Sequence, residues 1–382
     1  MKKTIAPDIT ETAFAFRGYN LTNLGRTAEL LQCEAYREIL LEELRRFGDI
    51  CAEYTGSAVD LAEFIVKAIE PGLKHYAESL AMIAAVEIAQ MRLLQELHGV
   101  ETERAKVNFG YSLGELVAVS YGGTFSSEDM IRVPLSLAGP SAELAENITM
   151  GVLFSRGPKI EETDVEQLCL RVTCEGKGTI GISAILSPNS YLLIGQNNTV
   201  KRFKEVMPDL LPHRAHLRIN SNRWPPLHTP IVWQESIADR ASVIMETLPG
   251  GFDPPCPPVL SLVTGKRSYD DHSARNILRR WVDHPQRLWD VIDETLATGV
   301  ETVIHVGPEP NVIPSTYRRL SENVRQQTAG ATLGSLGKRA VSGLARRPWL
   351  ASILPSDATL LRAPHISHVI LEDWLIDNAP GA

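Results

Sequence analysis

The chain has 382 residues, 44% of them hydrophobic, and a formal net charge of −8 at pH 7. Its length and apolar content allow a large buried core and predict two to three domains or subdomains. The acidic balance argues against a nucleic-acid-binding protein, because neutralising phosphates requires a basic surface.

Membrane and metal partners are also not expected. No run approaches the ~18 apolar residues of a membrane span, and the N-terminal residues lack the apolar core of a signal peptide. The five cysteines contain no C-x-x-C pair, which favours reduced thiols over a disulfide framework or a zinc site. We therefore expect a cytoplasmic protein with no membrane partner.

The first hundred residues predict one short strand followed by helices. Residues 14–16 (FAF) form an apolar run typical of a buried strand, and Gly18 begins a turn. Apolar residues with a 3.6-residue period predict a long helix over 26–47. Further helices are expected over 58–69 and 76–97.

A G-x-S-x-G sequence, with Ser112 at its centre, directly follows the apolar run 107–109. A serine on a sharp strand-to-helix turn requires glycine two residues before and after it, because side chains there would clash. The backbone N–H of Leu113 would then open a helix and face a developing oxyanion. The pattern predicts that Ser112 is a nucleophile. Only one strand is expected before it, which argues against a complete α/β-hydrolase fold.

Two helices are predicted after the elbow, over 114–121 and 127–137, with Pro140 ending the second. Short apolar runs and helical stretches then give a β-α-β-β-α-β order over 148–219, which predicts an inserted ferredoxin-like subdomain. Strand and helix patterns return after it and include a strand over 302–306.

These pieces together resemble a known family. FAF followed by Gly18, GYSLGE at 110–115, LSPNSYLLIG at 186–195, PPLH ending at His228, and GVETVIHVGPEPNVI at 299–313 occur in the order of malonyl-CoA:acyl-carrier-protein transacylases and polyketide synthase acyltransferases. The resemblance covers about residues 13–322. It implies an α/β fold, with an α/β-hydrolase-like large domain (13–147 and 220–322) and a ferredoxin-like subdomain (148–219). Residues 323–382 form a C-terminal extension.

The resemblance also implies roles for individual residues. Ser112 would accept the acyl group as an ester, and His228 would be the general base in both half-reactions. A backbone carbonyl within 280–284 would orient the histidine. The backbone N–H groups of Leu113 and Tyr19 would bind the oxyanion, with Gly18, Tyr111 and Ser190 close to the substrate.

Several positions depart from the family pattern. Tyr111 replaces the usual histidine before the nucleophile, and Gly18 to Thr22 replace a glutamine-containing loop. Residues 184–190 replace a segment rich in polar side chains, so we expect a more apolar pocket.

Leu137 is the most informative departure. It lies 25 residues after the nucleophile, where malonyl-specific members place an arginine that pairs with the substrate carboxylate. Leaving a carboxylate unpaired against leucine costs several kcal/mol. Leu137 therefore predicts an acyl group without a carboxylate. The alternative is a shifted alignment, in which Arg132 or Arg156 supplies the charge.

The C-terminal extension contains five basic residues and no acidic one between Val324 and Arg347. This strip is either a docking surface for an acidic carrier protein or a solvated linker. Residues 358–376 are expected to pack on the body. His365 and His368 lack further ligands, so we expect no metal site.

The sequence thus predicts a serine acyltransferase that moves an acyl group from acyl-CoA to the phosphopantetheine arm of an acyl carrier protein, without a cofactor. The same residues would serve a hydrolase that removes acyl groups from carrier proteins. A third hypothesis is a non-catalytic subunit of a polyketide or fatty-acid assembly. We expect a monomer or a member of such an assembly.

Overall fold

The computed structural model describes residues 4–269, 274–329 and 356–380. Its strands are β1 (Thr12–Phe16), β2 (Val107–Gly110), β3 (Ile148–Ser155), β4 (Ile180–Ser187), β5 (Ser190–Gln196), β6 (Ala215–Asn220), β7 (Val259–Ser261), β8 (Lys266–Arg267), β9 (Thr302–Val306) and β10 (Ser367–Ile370).

The α-helices follow the same chain order. They are α1 (Thr27–Gln32), α2 (Glu34–Thr55), α3 (Leu61–Val66), α4 (Tyr76–Glu96), α5 (Leu113–Tyr121), α6 (Ser127–Leu144), α7 (Glu162–Thr173), α8 (Thr199–Val206), α9 (Ile237–Thr247), α10 (Ala274–Trp281), α11 (Leu288–Ala297), α12 (Val312–Ala329), α13 (Ser356–Thr359) and α14 (Leu371–Asp377). Within the described residues, no helix is both long and apolar enough to cross a membrane.

The larger sheet has the order β10-β9-β1-β2-β7-β8. Neighbouring strands from β10 to β7 are parallel, and the short β8 is antiparallel to β7. Phe16 pairs with Gly110 and Val306 at the carboxyl ends of β1, β2 and β9. The loops that follow these three strands therefore meet at one edge of the sheet, which is where ligands bind in open α/β sheets.

Both faces of this sheet are buried, as expected for parallel strands. Phe14 and Phe16 pack into one hydrophobic core, whereas Ala13 and Ala15 pack into a second core on the opposite face. This alternation follows from the two-residue period of side chains along a strand. Helices cover each face, so the large domain has three layers and is a mixed α/β structure.

The second sheet is antiparallel, with the order β4-β5-β3-β6. Its strands and the helices α7 and α8 occur along the chain as β-α-β-β-α-β, the order predicted for residues 148–219. Both helices contribute to a separate core with this sheet. The insertion divides the large domain, because β1 and β2 precede it and β7 and β9 follow it.

Two predicted helices differ from the structure. The helix expected over 26–47 is two helices, because Cys33 adopts extended backbone angles between α1 and α2. The prediction that Pro140 ends a helix was wrong, since α6 continues to Leu144 with Pro134 and Pro140 inside it. Its apolar side keeps packing on α4, α5 and α9, and this burial offsets the backbone hydrogen bonds that proline removes.

The predicted C-terminal extension contributes to the large domain. Residues Ser367–Ile370 pair in parallel with β9 and form the edge strand β10, and α12 crosses the expected boundary at residue 322. Most of the basic strip lies outside the described residues. His368 contacts His305 of β9, with 3.1 Å between Nδ1 and Nε2, and the described residues contain no group of three or more potential metal ligands.

Candidate active site

Ser112 lies on the sharp turn between β2 and α5. Its backbone angles, φ 55° and ψ −116°, are strained for a residue with a side chain. A Cβ atom on Gly110 would lie 2.1 Å from the Gly114 carbonyl, and one on Gly114 would lie 2.4 Å from Phe16 O. Both glycines are therefore required for the close approach of β1, β2 and α5 that holds this turn.

The structure brings Ser112 and His228 together. Ser112 Oγ and His228 Nε2 are 2.7 Å apart, although the two residues are separated by 116 positions in the chain. His228 Nδ1 lies 2.6 Å from the carbonyl oxygen of Trp281. Because a carbonyl oxygen can only accept, Nδ1 carries the proton and Nε2 is free to accept one from Ser112. Trp281 lies within the stretch 280–284 that was expected to orient the histidine.

Burial lowers the pKa of His228 to about 4, while the hydrogen bond to Trp281 O and the charge of Asp283 act in the opposite direction. The Asp283 carboxylate makes no hydrogen bond to His228. It accepts one from the Trp233 indole (2.9 Å) and contacts His284 Nδ1 (2.5 Å). The imidazole is thus held neutral near pH 7, as a general base must be.

Two further residues contact the pair that the sequence analysis did not single out. The Trp281 indole donates to Ser112 O (3.0 Å), and its ring packs edge-to-face on His228 with centroids 5.1 Å apart. Gln286 Oε1 accepts from the Ser112 N–H (2.9 Å), and Gln286 Nε2 lies 3.3 Å from His228 Nδ1. Neither belongs to a motif, and only the expected carbonyl within 280–284 pointed to this part of the chain.

The two predicted oxyanion donors lie beside the nucleophile. Leu113 begins α5, so its N–H has no acceptor within that helix. A Cβ atom on Gly18 would lie 2.4 Å from Tyr111 O and 3.2 Å from Ser112 Cβ. The loop that contains Gly18 and Tyr19 therefore passes directly over the elbow.

A buried arginine holds this loop in place. The Arg17 guanidinium donates to Gly18 O, Thr22 O and Asn23 Oδ1 at 2.8, 3.2 and 2.9 Å, and also to Pro308 O. Only 4% of Arg17 is exposed. The Arg17 guanidinium therefore donates its hydrogen bonds to the loops after β1 and β9 and is not directed at Ser112.

A cavity of about 270 Å³ opens at Ser112 and His228. Its other lining residues are four aromatic ones (Tyr19, Tyr76, Tyr111, Trp224), seven aliphatic ones (Met150, Leu186, Leu192, Ile194, Pro225, Leu227, Val312) and three polar ones (Asn20, Ser183, Asn311). Within the described part of the chain, no lysine or arginine lines it.

The remaining predicted residues lie away from this lining. Leu137 is 1% exposed in the main hydrophobic core, on the buried side of α6. The prediction that Leu137 contacts the substrate is therefore corrected: its side chain packs in the core and does not line the cavity. Ser190 begins β5 outside the lining. Arg132 pairs with Glu53, and Arg156 is exposed after β3, so neither supplies a cation to the cavity.

Curated proteins similar to this chain are polyketide synthases. The polyketide synthase GfsA of Streptomyces halstedii is 25% identical over 311 residues, covering 78% of this chain and 4% of the synthase. The spectinabilin polyketide synthase system protein NorB of Streptomyces orinoci is 26% identical over 254 residues, covering 65% and 11%. The chain thus spans a small part of these relatives' length. No protein-family model matches it.

Solved structures with the same fold are malonyl transacylases. FabD from Acinetobacter baumannii superposes with a TM-score of 0.65 at 20% identity, covering 81% of this chain and 91% of that chain. The acyl carrier protein S-malonyltransferase from Vibrio cholerae gives 0.63 at 21%, covering 81% and 93%. A type II polyketide synthase acyl carrier protein in complex with its malonyl-transacylase gives 0.62 at 20%, covering 80% and 92%.

These findings confirm the resemblance stated from the sequence. The chain has the fold of malonyl-CoA:acyl-carrier-protein transacylases, and its curated relatives are polyketide synthases.

Proposed function

We propose that the protein is a serine acyltransferase that moves an uncharged acyl group from acyl-CoA to an acyl carrier protein. The observation that carries this proposal is the 2.7 Å contact between Ser112 Oγ and His228 Nε2 at an apolar cavity. The fold shared with acyl carrier protein transacylases supports it.

In the first half-reaction, Ser112 Oγ attacks the thioester carbonyl while its proton passes to His228 Nε2. The N–H groups of Leu113 and Tyr19 bind the oxyanion of the tetrahedral intermediate. Collapse of this intermediate breaks the carbon–sulfur bond, and His228 returns the proton to the leaving thiolate of coenzyme A. The product is an ester on Ser112.

The second half-reaction reverses these steps with a different thiol. His228 Nε2 takes the proton of the phosphopantetheine thiol, and the sulfur attacks the Ser112 ester. The proton then goes to Ser112 Oγ as the ester bond breaks. Every proton is carried by His228, so this route uses no cofactor.

The cavity lining supports an acyl group without a carboxylate. No lysine or arginine lines it within the described residues, and the nearby Arg17 donates to three backbone carbonyls and Asn23. A malonyl carboxylate placed there would lose its hydration without gaining a partner, which costs several kcal/mol. The preference for an uncharged acyl group is therefore proposed from the cavity lining and not from Leu137, which lies in the core.

The acceptor is proposed from the transacylase neighbours, one of which is in complex with an acyl carrier protein. The small sheet carries exposed basic residues on and beside its edge strand β6, namely Arg214, Arg218 and Arg223, and the residue after Arg223, Trp224, lines the cavity. We call these three residues the β6 arginines. None of them forms an ion pair within the described residues, so their charges are available to an acidic carrier protein.

The finer description of the fold is also part of this proposal. The parallel strands around the Ser112 elbow support an α/β-hydrolase-like large domain, and the order β4-β5-β3-β6 supports a ferredoxin-like insertion. In this description the nucleophile belongs to the large domain, and part of the cavity lining belongs to the insertion. A cytoplasmic location remains our prediction from the sequence.

Mass spectrometry of the Ser112 peptide tests the proposed function. After incubation with acetyl-, hexanoyl- or malonyl-CoA, we expect an acyl adduct on Ser112, formed faster from the uncharged donors. Ser112→Ala should abolish the adduct, and His228→Ala should slow it by about a hundredfold or more. Ser136→Ala is a matched control, because among the described residues the Ser136 hydroxyl donates only to Val133 O in its own helix.

Other outcomes favour the alternative functions. No adduct from any donor, in a protein shown to be folded, would support the non-catalytic subunit. Release of free acid at the same rate with and without a carrier protein would support the hydrolase. A tenfold preference for malonyl-CoA would contradict the uncharged acyl group.

A further inference from the structure

Gln286 joins the small sheet to the large domain. It is fully buried, and its N–H donates to Ser183 O (2.9 Å) while its carbonyl accepts from the Ile185 N–H (2.8 Å). This parallel bridge to Ala184 extends β4 of the small sheet. Arg287, the next residue, also links the two parts, because its guanidinium forms a bidentate ion pair with Glu162 of α7.

The side chain of Gln286 reaches the catalytic pair from this junction. The Ser112 N–H donates to Gln286 Oε1 at 2.9 Å, and only the amide oxygen can accept this bond. The Nε2 group must then face His228 Nδ1, 3.3 Å away. Since Nδ1 already donates to Trp281 O, two N–H groups face each other and form no hydrogen bond.

We infer that Gln286 is a positioning residue, which orients the Ser112 elbow and the His228 ring according to the placement of the small sheet. This inference rests on the proposed function of Ser112 and His228 in acyl transfer. Its backbone bonds fix its position on β4, and its side-chain bond transmits that position to the residue that carries the nucleophile.

The Nε2 amide group of Gln286 also affects the charge of the His228 ring. A second proton on His228, at its own Nε2, would make the ring positive while its Nδ1–H already faces the amide N–H of Gln286. The amide therefore opposes imidazolium formation. A carboxylate at the same place would keep the acceptor for Ser112 and favour the charged ring instead.

Two substitutions separate these effects. Gln286→Glu keeps the acceptor for the Ser112 N–H but replaces the amide N–H₂ with an oxygen. Gln286→Met has a similar length and removes the acceptor. Gln90→Met is the matched control, because Gln90 is equally buried and its Oε1 accepts from the backbone N–H of Gly307 at 2.8 Å. Each variant keeps its backbone hydrogen bonds.

The measurements are the NMR titration of the His228 ring, the rate at which a fluorophosphonate probe labels Ser112, and the thermal midpoint. We expect Gln286→Glu to raise the His228 titration midpoint by about one pH unit or more. We expect Gln286→Met to slow labelling by roughly tenfold or more, as for a misplaced reacting group. Gln286→Glu should label faster than Gln286→Met at pH 8. Gln90→Met should lower the thermal midpoint without moving the titration.

An unchanged titration in Gln286→Glu, together with labelling of Gln286→Met as fast as that of Gln90→Met, would overturn the inference and leave Gln286 a packing residue. The titration needs no acyl donor. If the wild-type protein reacted with no acyl-CoA, the proposed function would fail while the titration still tested the position of Gln286.

Discussion

The proposed role of His228 as the general base for Ser112 depends on whether its ring carries one proton or two. The ring must be neutral to accept the serine proton, and burial lowers its pKa to about 4. A general base works only above its pKa. With its pKa lowered, His228 stays neutral at pH values well below the ordinary pKa of 6.5. Most of this shift comes from burial, so it depends on the closed packing around Trp281.

The pH dependence of Ser112 acylation follows from this value. Lowering the pH through about 4 protonates His228, so we expect kcat/KM to fall with an acidic limb near pH 4 rather than near 6.5. Initial rates of acyl-CoA consumption between pH 3.5 and 8 measure it. Asp283→Asn should move the limb to lower pH, because the Asp283 charge favours the protonated ring.

The fold must survive the acidic half of this series for the rates to be interpretable. Circular dichroism at each pH serves as the control. An acidic limb that stays near 6.5 in a folded protein would contradict the buried, neutral histidine. A limb that moved upward in Asp283→Asn would show that the carboxylate acts through its contacts with Trp233 and His284 rather than through its charge.

At the scale of elements, the elbow is a point where two strands and a helix are in backbone contact. Gly114 opens α5 against the end of β1, and a Cβ there would lie 2.4 Å from Phe16 O and 2.5 Å from Arg17 O. These atoms are backbone and cannot rotate away. The same strand carries the loop that contains Tyr19, so a shift of α5 moves Ser112 and the Leu113 N–H relative to the other predicted oxyanion donor, the Tyr19 N–H.

Gly114→Ala should therefore reduce both stability and acylation. We expect a loss of about 1–3 kcal/mol in the free energy of unfolding, typical of overpacking, measured by urea denaturation. Acylation of Ser112 should fall in the fraction that remains folded. Gly72→Ala is the matched control, because nothing lies within 4 Å of a Cβ on Gly72 and its φ of −85° suits any residue. It should be neutral or stabilising, by up to about 1 kcal/mol. Equal stability of the two variants would disprove the close contact.

Across the whole molecule, the sequence predicted those elements that depend on interactions between residues close together in the chain. Apolar periodicity and turn residues predicted strand β1, the elbow and the β-α-β-β-α-β order, and each of these patterns spans no more than about twenty residues. The resemblance then related Ser112 to His228, which no local pattern connects. The structure brings these two side chains together, and their catalytic roles stay predictions until acylation is measured.

The parts that the sequence missed depend on contacts between distant segments. Gln286 lies in no motif, and its position follows from a bridge to β4 across 102 residues. Leu137 looked like a pocket residue from its distance to Ser112 in the chain, but the apolar side of α6 turns it into the core. Likewise, the sequence placed β10 in a C-terminal extension, because its parallel pairing with β9 depends on a strand more than sixty residues earlier in the chain.

We expect an acidic carrier protein to approach the cavity from the side of the β6 arginines. Opposite charges raise encounter rates between proteins more than they raise final affinity. The β6 arginines are exposed, Arg223 directly precedes Trp224 of the cavity lining, and no acidic side chain pairs with the three arginines within the described residues. Replacing all three with glutamate should slow transfer from acylated Ser112 to an acidic carrier protein by about tenfold or more at low salt. Acylation of Ser112 by acyl-CoA gives the internal reference, since it needs no carrier protein.

Lys266 and Arg267 provide a matched control for this charge reversal. Both are exposed on β8, at the opposite edge of the large sheet from β10, and their replacement with glutamate should leave transfer within about twofold of wild type because they lie away from the cavity lining. The difference between the two variants should shrink as salt is raised, since screening weakens steering. Equal transfer by both variants would exclude the β6 arginines as the docking surface. The basic strip between 324 and 347, with Lys338, Arg339, Arg346 and Arg347, would then be the next surface to reverse.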